Sequence, residues 1–257
     1  MIDDTEDDEK LGRSIRQKRS IEAADNSQVP EKRRQLEVGL PQSLSNEIRS
    51  RNSSSSSLYL VQKPKSPRLL PPSKVERNKQ PLPTRKSNGS LIFHDFPEFI
   101  PNLAPKEILQ LGSFGGTCFQ PVTSRITGQS YQDAWKELPE DWLRGLDIPS
   151  QLASTVYNPK INRYKVSCGG DLKEWEENGW IADVDPYGWF QWYCRFYLGR
   201  RSSDDHRQIS RAIGMMGWKG RWRRNLINRC LKSGKSLEEA VHDMSISPKI
   251  RQLLQVR

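Results

Sequence analysis

The chain lacks the features that mark membrane and secreted proteins. It contains no apolar run approaching the roughly 20 residues that a membrane-spanning helix needs, so the sequence predicts a soluble protein. It opens with MIDDTEDDEK, which is acidic where a secretory signal would be basic and then apolar. We therefore expect an intracellular protein whose cysteines stay reduced.

Metal-binding and catalytic patterns are also scarce. Zinc sites and disulfide frameworks show short, repeated cysteine spacings, and the 4 cysteines of this chain form no close pair. The 3 histidines do not have the spacing of a zinc-binding helix. The glycines at 115 and 116 lack the GK[ST] ending of a phosphate-binding loop. The sequence thus predicts no metal, no cofactor and no catalytic residue.

Aromatic residues are nearly absent from the first 90 positions, which contain only Tyr59. All 8 tryptophans lie at or after Trp135. A segment that cannot bury large apolar side chains does not offset the conformational entropy that folding removes. We therefore expect residues 1–90 to form a long disordered tail, basic and rich in serine and proline. Residues 91–257 are expected to form a single globular domain.

Two basic clusters interrupt the tail and are typical of nuclear import signals. Their residues are Arg16, Lys18, Arg19, Lys32, Arg33 and Arg34. The clusters predict a location in the nucleus, and without import the protein would stay in the cytoplasm.

The domain mixes strand and helix signals. This predicts an α+β fold with a small β-containing N-terminal half and a helical, basic C-terminal half. In the first half, Pro105 opens a helix that Gly112 ends, and the glycines at 115 and 116 turn between two short strands. A further strand is expected over residues 160–170, KINRYKVSCGG. Predicted helix starts elsewhere are Ser130 with Asp133, Asp171, Ser236 with Glu239, and Ser247 before Pro248.

Residues 185–201, DPYGWFQWYCRFYLGRR, form the segment around which the domain is organised. Asp185 followed by Pro186 is typical of a helix start, and Gly199 is typical of a helix end. The aromatic side chains between them repeat at helical spacing and form one wide face. That face indicates either a buried core helix or a platform on which nucleic-acid bases stack. The stacking hypothesis uses Trp189 and Trp192.

Charge changes sign along the domain. The whole chain carries a net charge of +10, but residues 91–194 are acidic and residues 195–257 are strongly basic. A basic block of this kind attracts the phosphate backbone of nucleic acids by counterion release. The alternative is that the basic part docks onto the protein's own acidic part.

The most basic helix is expected within residues 218–234, WKGRWRRNLINRCLKSG. Successive residues turn by about 100°, which gathers the apolar side chains on one side and the arginines and asparagines on the other. Arginine and asparagine bind phosphates and purine edges, and two helices joined by a glycine-containing break outline a helix-turn-helix. The predicted nucleic-acid-binding residues are Arg200, Arg201, Arg207, Arg211, Arg221, Arg224, Asn225, Asn228 and Lys232.

The leading hypothesis is therefore a nuclear nucleic-acid-binding protein without catalytic activity, and two alternatives stay open beside it. One is a protein–protein interaction module for an acidic partner. The other is a metal-dependent nuclease, in which Asp204, Asp205 and His206 would hold a divalent ion. A serine cap followed by acidic residues in a first helical turn explains the same aspartates, so the sequence favours a role other than an enzyme's.

Three segments resemble a conserved, functionally uncharacterised domain found chiefly in fungal proteins. They are GWFQWYCRFYLGRRSSDDHRQISR at 188–211, GRWRRNLINRC at 220–230 and SISPKIRQLL at 245–254. The resemblance extends back through 101–116 and 165–180 and covers most of 97–257. It implies the same folded region and no activity. Members of that family continue past the last of these segments into an aromatic ending, whereas this sequence stops at Arg257. The resemblance therefore implies that the last helix is truncated.

Overall fold

The computed structural model describes residues 66–77 and 80–256. The predicted import clusters, and the predicted disorder of the first 65 residues, lie outside these described residues. Within the described ranges, every helix is too short or too polar to cross a bilayer.

Short antiparallel ladders supply the strands of the fold. Strand β1 (Val75–Arg77) pairs with β6 (Arg201–Ser202), β2 (Thr84–Arg85) with β3 (Leu91–Ile92), and β4 (Val122–Thr123) with β5 (Ser130–Tyr131). The helices are α1 (Pro105–Leu111), α2 (Glu140–Leu143), α3 (Ile148–Gln151), α4 (Leu172–Glu177), α5 (Trp189–Tyr197), α6 (Asp205–Met216), α7 (Arg221–Leu231), α8 (Leu237–His242) and α9 (Pro248–Leu253). The coarse prediction of a mixed fold, with small strands and helices, is confirmed.

The folded unit begins before Leu91, where the sequence placed its boundary. The backbone N–H of Arg68 donates to the carbonyl of Glu176 at 2.9 Å, and that of Gln80 donates to Gly199 at 2.9 Å. Strand β1 adds a ladder with β6, more than 120 residues further along the chain. These long-range contacts of an almost purely polar segment leave no hydrophobic pattern in the sequence, which is why the boundary was predicted too late.

Local signals placed several helices correctly. Helix α1 starts at Pro105 and ends before Gly112, whose φ of 88° and close approach to Ile161 exclude a side chain. The Asp171 side chain accepts a hydrogen bond from the N–H of Glu174 and caps α4. Helix α8 carries the predicted capping box of Ser236 with Glu239, and α9 starts at Pro248. Each signal acts within four residues, so the sequence alone contains it.

Three predicted elements of the first half are wrong. The glycines at 115 and 116 lie in a 3₁₀ turn (Phe114–Gly116) and not between two strands, since β4 and β5 both follow them. Residues 160–170 form no strand; they begin in a second 3₁₀ turn (Pro159–Ile161) and continue as a loop held by Asn162. The Asn162 side chain accepts from the N–H of Gly115 at 2.8 Å and donates to the carbonyl of Val166 at 2.7 Å. The segment after Ser130 is strand β5 followed by a short 3₁₀ turn, so the predicted capping box there does not form. Side-chain bonding to backbone groups replaces regular ladders in these loops.

Helix α5 forms the centre of the hydrophobic core. Trp192, Tyr193 and Phe196 are fully buried. The ring centre of Phe93 lies 4.8 Å from that of Phe196, and the ring centre of Phe99 lies 5.8 Å from that of Trp192. The aromatic face is therefore core, and its side chains bring the segment around β3 onto the helix.

The helix starts later than the sequence predicts. Gly188, not Asp185, precedes its first turn, because the Asp185 carboxylate is bound by two arginines instead of capping backbone N–H groups. The predicted end is confirmed: Gly199 has a φ of 97° and donates its N–H to Phe196. The same glycine lets the backbone of Gln80 pass against the end of α5.

Candidate nucleic-acid interface

Helix α7 carries the strongest concentration of exposed cations in the described structure. Its apolar side faces helices α6, α8 and α9. Cys230 is buried on that side and its Sγ donates to the carbonyl of Ala240 at 3.5 Å. Because one side of α7 is fixed against three helices, the opposite side is held in a defined orientation toward solvent.

The outward side of α7 forms a shallow open groove of about 620 Å³. Its lining contains every α7 residue that the sequence predicted for nucleic-acid binding, and adds Arg229. The lining residues are Arg221, Arg224, Asn225, Asn228, Arg229 and Lys232. We call this set the basic face.

Arg229 was missed because its place on the helix is at the edge of the polar side, next to Trp222. The structure turns it onto the basic face, where its Nε donates to Oδ1 of Asn225 at 3.0 Å. The sequence did contain a signal: Arg229 follows Asn225 by four residues, and residues spaced by four are neighbours on a helix surface.

No carboxylate of the described residues neutralises the basic face. No acidic residue occurs between Asp205 and Glu238 in the sequence. Among the described residues, no carboxylate lies within ion-pair distance of Arg221, Arg224 or Lys232. The acidic half of the domain therefore does not cover this surface, and its charge is directed at solvent.

Arg201 does not belong to this surface. Its side chain is 3% exposed, and its Nε and Nη2 donate to the Asp95 carboxylate at 2.8 and 3.1 Å. Its Nη1 donates to the carbonyls of Phe196 and Arg200 at 2.8 and 2.7 Å. The guanidinium carbon lies 3.9 Å from the ring centre of Phe196. All of this side chain is used inside the fold, so we remove Arg201 from the predicted contact residues.

Arg200 is likewise committed to the interior. Its two terminal nitrogens donate to the Asp185 carboxylate at 2.7 and 2.6 Å. Arg195 donates to the same carboxylate at 3.0 Å and to Glu137 at 2.6 Å. Burial raises the pKa of the Asp185 carboxyl above its ordinary value, and the hydrogen bonds and charges of the two arginines oppose that rise. Arg200 therefore neutralises a buried acid and is also removed from the contact residues.

Arg207 and Arg211 lie on α6, partly exposed, with their positions fixed by internal contacts. Arg207 pairs with Asp204, with Nη2 to Oδ2 at 2.7 Å. Arg211 donates to the carbonyl of Trp180 at 3.1 Å and lies 5.2 Å from the centre of its ring. Burial, and then the charge of Arg207, lower the pKa of Arg211 to about 10, so it is still cationic at pH 7. The two residues add to the positive field but are not free to reach a ligand as the α7 residues are.

The predicted stacking tryptophans are not at the surface. Trp192 is fully buried and its Nε1 donates to Asp205 at 2.9 Å. Trp189 is partly buried and stacks on Tyr193, with 5.2 Å between ring centres. Trp192 is closed to a base, and Trp189 packs against the core with Tyr193 stacked on it, so both are removed from the candidate site. The tryptophan that the sequence reasoning missed is Trp218, which is 51% exposed next to α7.

The aspartates of the nuclease hypothesis are already bound within the fold. Asp204 accepts from Arg207 and from Gln208, and Asp205 accepts from Trp192 and Ser202. In the part of the chain that the structure describes, no group of three histidine, cysteine or acidic side chains could hold a metal ion. The predicted serine cap of α6 does not form either, because Ser202 lies in strand β6.

Comparison with known proteins returned no match: no family model, no curated protein and no solved structure is similar to this chain. The resemblance to the fungal domain stays a prediction, because these comparisons provide no family against which to test it.

Proposed function

We propose that this protein binds nucleic acid through the basic face of α7, and that it does so in the nucleus without itself carrying out catalysis. The exposed, unneutralised cations of that face carry the proposal. Each arginine or lysine that meets a phosphate releases a condensed counterion, which makes binding favourable and salt-dependent.

The composition of the basic face fits phosphate and base contacts better than a general attraction of charges. Asn225 and Asn228 lie between the cations and can donate and accept hydrogen bonds with base edges. The groove runs along a helix whose other side is packed, so the positions from which its donors extend are fixed relative to one another. Phosphate contacts from fixed positions set the register of a nucleic acid along the helix.

The test is binding of the full chain to labelled duplex DNA, single-stranded DNA and RNA across a salt series. We expect affinity to fall steeply with salt. In Arg221→Ala/Arg224→Ala, the slope of log affinity against log salt should shrink by about 1.4 for single strands or 1.8 for duplex, because two phosphate contacts are lost.

The matched control removes the same charge from elsewhere on the surface: Arg144 follows the end of α2, and Lys173 lies in α4. Arg144 and Lys173 are exposed, and Arg144→Ala/Lys173→Ala lowers the net charge equally. We expect this variant to keep the parent slope. An equal loss of slope in both double variants would show that only net charge matters, and would contradict a site on α7. Circular dichroism of each variant establishes that it is folded.

A second candidate function is binding of an acidic protein, which the exposed apolar residues beside α7 favour. Leu237 is 61% exposed and Val241 48%, one turn apart on α8, and Met244 is 48% exposed just after it. Apolar side chains next to cations suit an acidic, amphipathic partner. Competition separates the two candidates: polyglutamate that displaces DNA at equal charge concentration favours the acidic protein, whereas persistent DNA binding favours a phosphate site.

A further inference from the structure

Trp218 lies in the connection between α6 and α7 and is the most exposed tryptophan of the chain. Its exposed fraction is 51%, compared with 36% for Trp180, and the others are partly or fully buried. Exposing this much aromatic surface is unfavourable in the isolated protein. Aromatic rings beside a positively charged groove are the usual elements of surfaces that bind single-stranded nucleic acids.

The ring of Trp218 is held in place by a neighbouring arginine. The guanidinium carbon of Arg223 lies 4.4 Å from the centre of the ring, which is a cation–π contact. By its helical position, Arg223 belongs to the apolar side of α7. Its stacking on Trp218 explains how a charged side chain is accommodated on that side. The contact orders the ring before a ligand arrives, so less conformational entropy is lost on binding.

Trp218 is also next to the start of the basic face. Only two residues separate it from Arg221, so their Cα atoms are at most about 11 Å apart, since consecutive Cα atoms are 3.8 Å apart. Lys219, between them, is exposed as well. An aromatic ring and phosphate-binding cations therefore adjoin one another at one end of the helix.

We propose that the ligand of this surface is a single-stranded nucleic acid, with one base stacked on Trp218 and the following phosphates bound along the basic face. The proposal rests on the proposed function and specifies its substrate class. In a duplex the faces of the bases are already stacked on each other, and a ring can reach them only by unstacking a step. In a single strand they are open, and stacking on aromatic side chains is the usual means of recognition.

The experiment measures binding of the full chain to labelled oligomers of about 12 nucleotides, a length within the site sizes of single-strand-binding folds. The oligomers are thymidine DNA, uridine RNA and a mixed-sequence DNA duplex of the same length. The variants are Trp218→Ala, Trp218→Phe and Trp180→Ala. Trp180 is the matched control because it too is exposed and stacked by an arginine, Arg211, yet lies on another segment.

We expect the parent protein to prefer the single strands to the duplex. Trp218→Ala should weaken single-strand binding by about 5- to 150-fold, the range that loss of one stacked base produces. Trp218→Phe, which keeps an aromatic face, should retain most of the affinity, and duplex binding should change by less than about twofold in either variant. The two single-stranded arms show whether the 2′-hydroxyl contributes.

Failure of this inference is distinct from failure of the proposed function. If Trp218→Ala binds single strands as the parent does, or if Trp180→Ala loses as much, stacking on Trp218 is excluded. Salt-dependent duplex binding that the Arg221→Ala/Arg224→Ala variant weakens would still support the basic face. If no oligomer binds at all, both proposals are overturned and an acidic protein becomes the leading candidate.

Discussion

The arginines at the end of α5 and those of α7 are the same residue type, yet the fold uses them in opposite ways. Arg195, Arg200 and Arg201 bind carboxylates and carbonyls inside the domain. Arg221 and Arg224 are exposed and line the open groove, and no carboxylate of the described residues pairs with them. The difference comes from the acids, not from the arginines: a guanidinium group becomes structural where the fold supplies a carboxylate for it.

Distance along the chain explains why the acidic partners of these arginines are hard to find. Asp95 lies 106 residues before Arg201, the residue that it binds. Glu137 lies 58 residues before Arg195. Neither pairing leaves a local pattern. The α7 cations, by contrast, lie in a stretch without acids, and that local fact is visible in the sequence.

The largest expected effect comes from truncating an interior arginine. Arg201→Ala removes two carboxylate contacts, two carbonyl contacts and a large buried side chain, so we expect the free energy of unfolding to fall by about 3 to 5 kcal/mol. Arg221→Ala should change it by no more than about 0.5 kcal/mol, because that side chain is exposed. Urea denaturation followed by circular dichroism measures both.

The contrast between structural arginines at the end of α5 and exposed arginines on α7 fails if Arg201→Ala and Arg221→Ala have similar stabilities. A stable Arg201→Ala would mean that the ion pair with Asp95 contributes little once desolvation is counted, as some buried pairs do. An unstable Arg221→Ala would give the basic face a structural role, and the loss of binding in the double variant could then no longer be assigned to phosphate contacts.

Exchange of arginine for lysine tests the same comparison at constant charge. Arg201→Lys should destabilise the protein by about 1 to 3 kcal/mol, because lysine cannot reproduce the two-nitrogen contact with Asp95 or the stacking on Phe196. Arg224→Lys should leave stability within about 0.5 kcal/mol of the parent and keep affinity within about threefold, because a phosphate accepts a point charge. Denaturation and the salt series provide the measurements.

The outcome for Arg224→Lys also sharpens the proposed function. If binding falls as far as in Arg224→Ala, the side chain needs its planar pair of donors, as it would on a purine edge. If Arg201→Lys is as stable as the parent, the two-nitrogen contact with Asp95 is unimportant for stability. The α5 and α7 arginines would then differ only in how deeply they are buried.

Much of the fold could be predicted because its signals are local. Pro105, Gly112, Asp171 and Ser236 act on neighbouring residues. The aromatic spacing of α5 identifies a helix with one wide apolar face, but only its partners show that this face is core. The position of the folded boundary and the absence of a strand at 160–170 depend instead on distant hydrogen bonds, which the sequence does not show. Backbone pairing of polar segments is decided by tertiary contacts, which a single sequence does not display.

The candidate site divides in the same way. The α7 residues were predicted because an amphipathic helix fixes which residues share a side. Residue type alone assigned four other residues to the site: Arg200, Arg201, Trp189 and Trp192. Asp185 and Asp95 bind the two arginines, and both tryptophans pack into the core. Trp218 was missed since it precedes α7 in a connection, where no periodicity shows whether a side chain is exposed.

The smallest expected effects concern two lysines three positions apart. Lys232 lines the basic face, while Lys235 donates to Asp243 at 2.6 Å. Lys232→Ala should reduce the salt slope by about 0.7 for single strands and leave stability unchanged. Lys235→Ala should leave the slope unchanged and lower the melting temperature slightly, because it breaks a contact that ties the end of α7 to the segment after α8.

The pH dependence of that small effect has a definite sign. The hydrogen bond from Lys235, followed by those from Ser245, holds the pKa of Asp243 below its ordinary value. The pairing therefore stabilises the fold above the ordinary carboxyl pKa and is lost as the pH falls through the lower folded value. The difference in melting temperature between the parent and Lys235→Ala should be largest near pH 7 and narrow below about pH 4. If the difference in melting temperature persists unchanged in acid, Lys235 acts through its packing and not through its ion pair with Asp243. Only the arginines would then support the contrast between cations paired inside the fold and cations exposed to solvent.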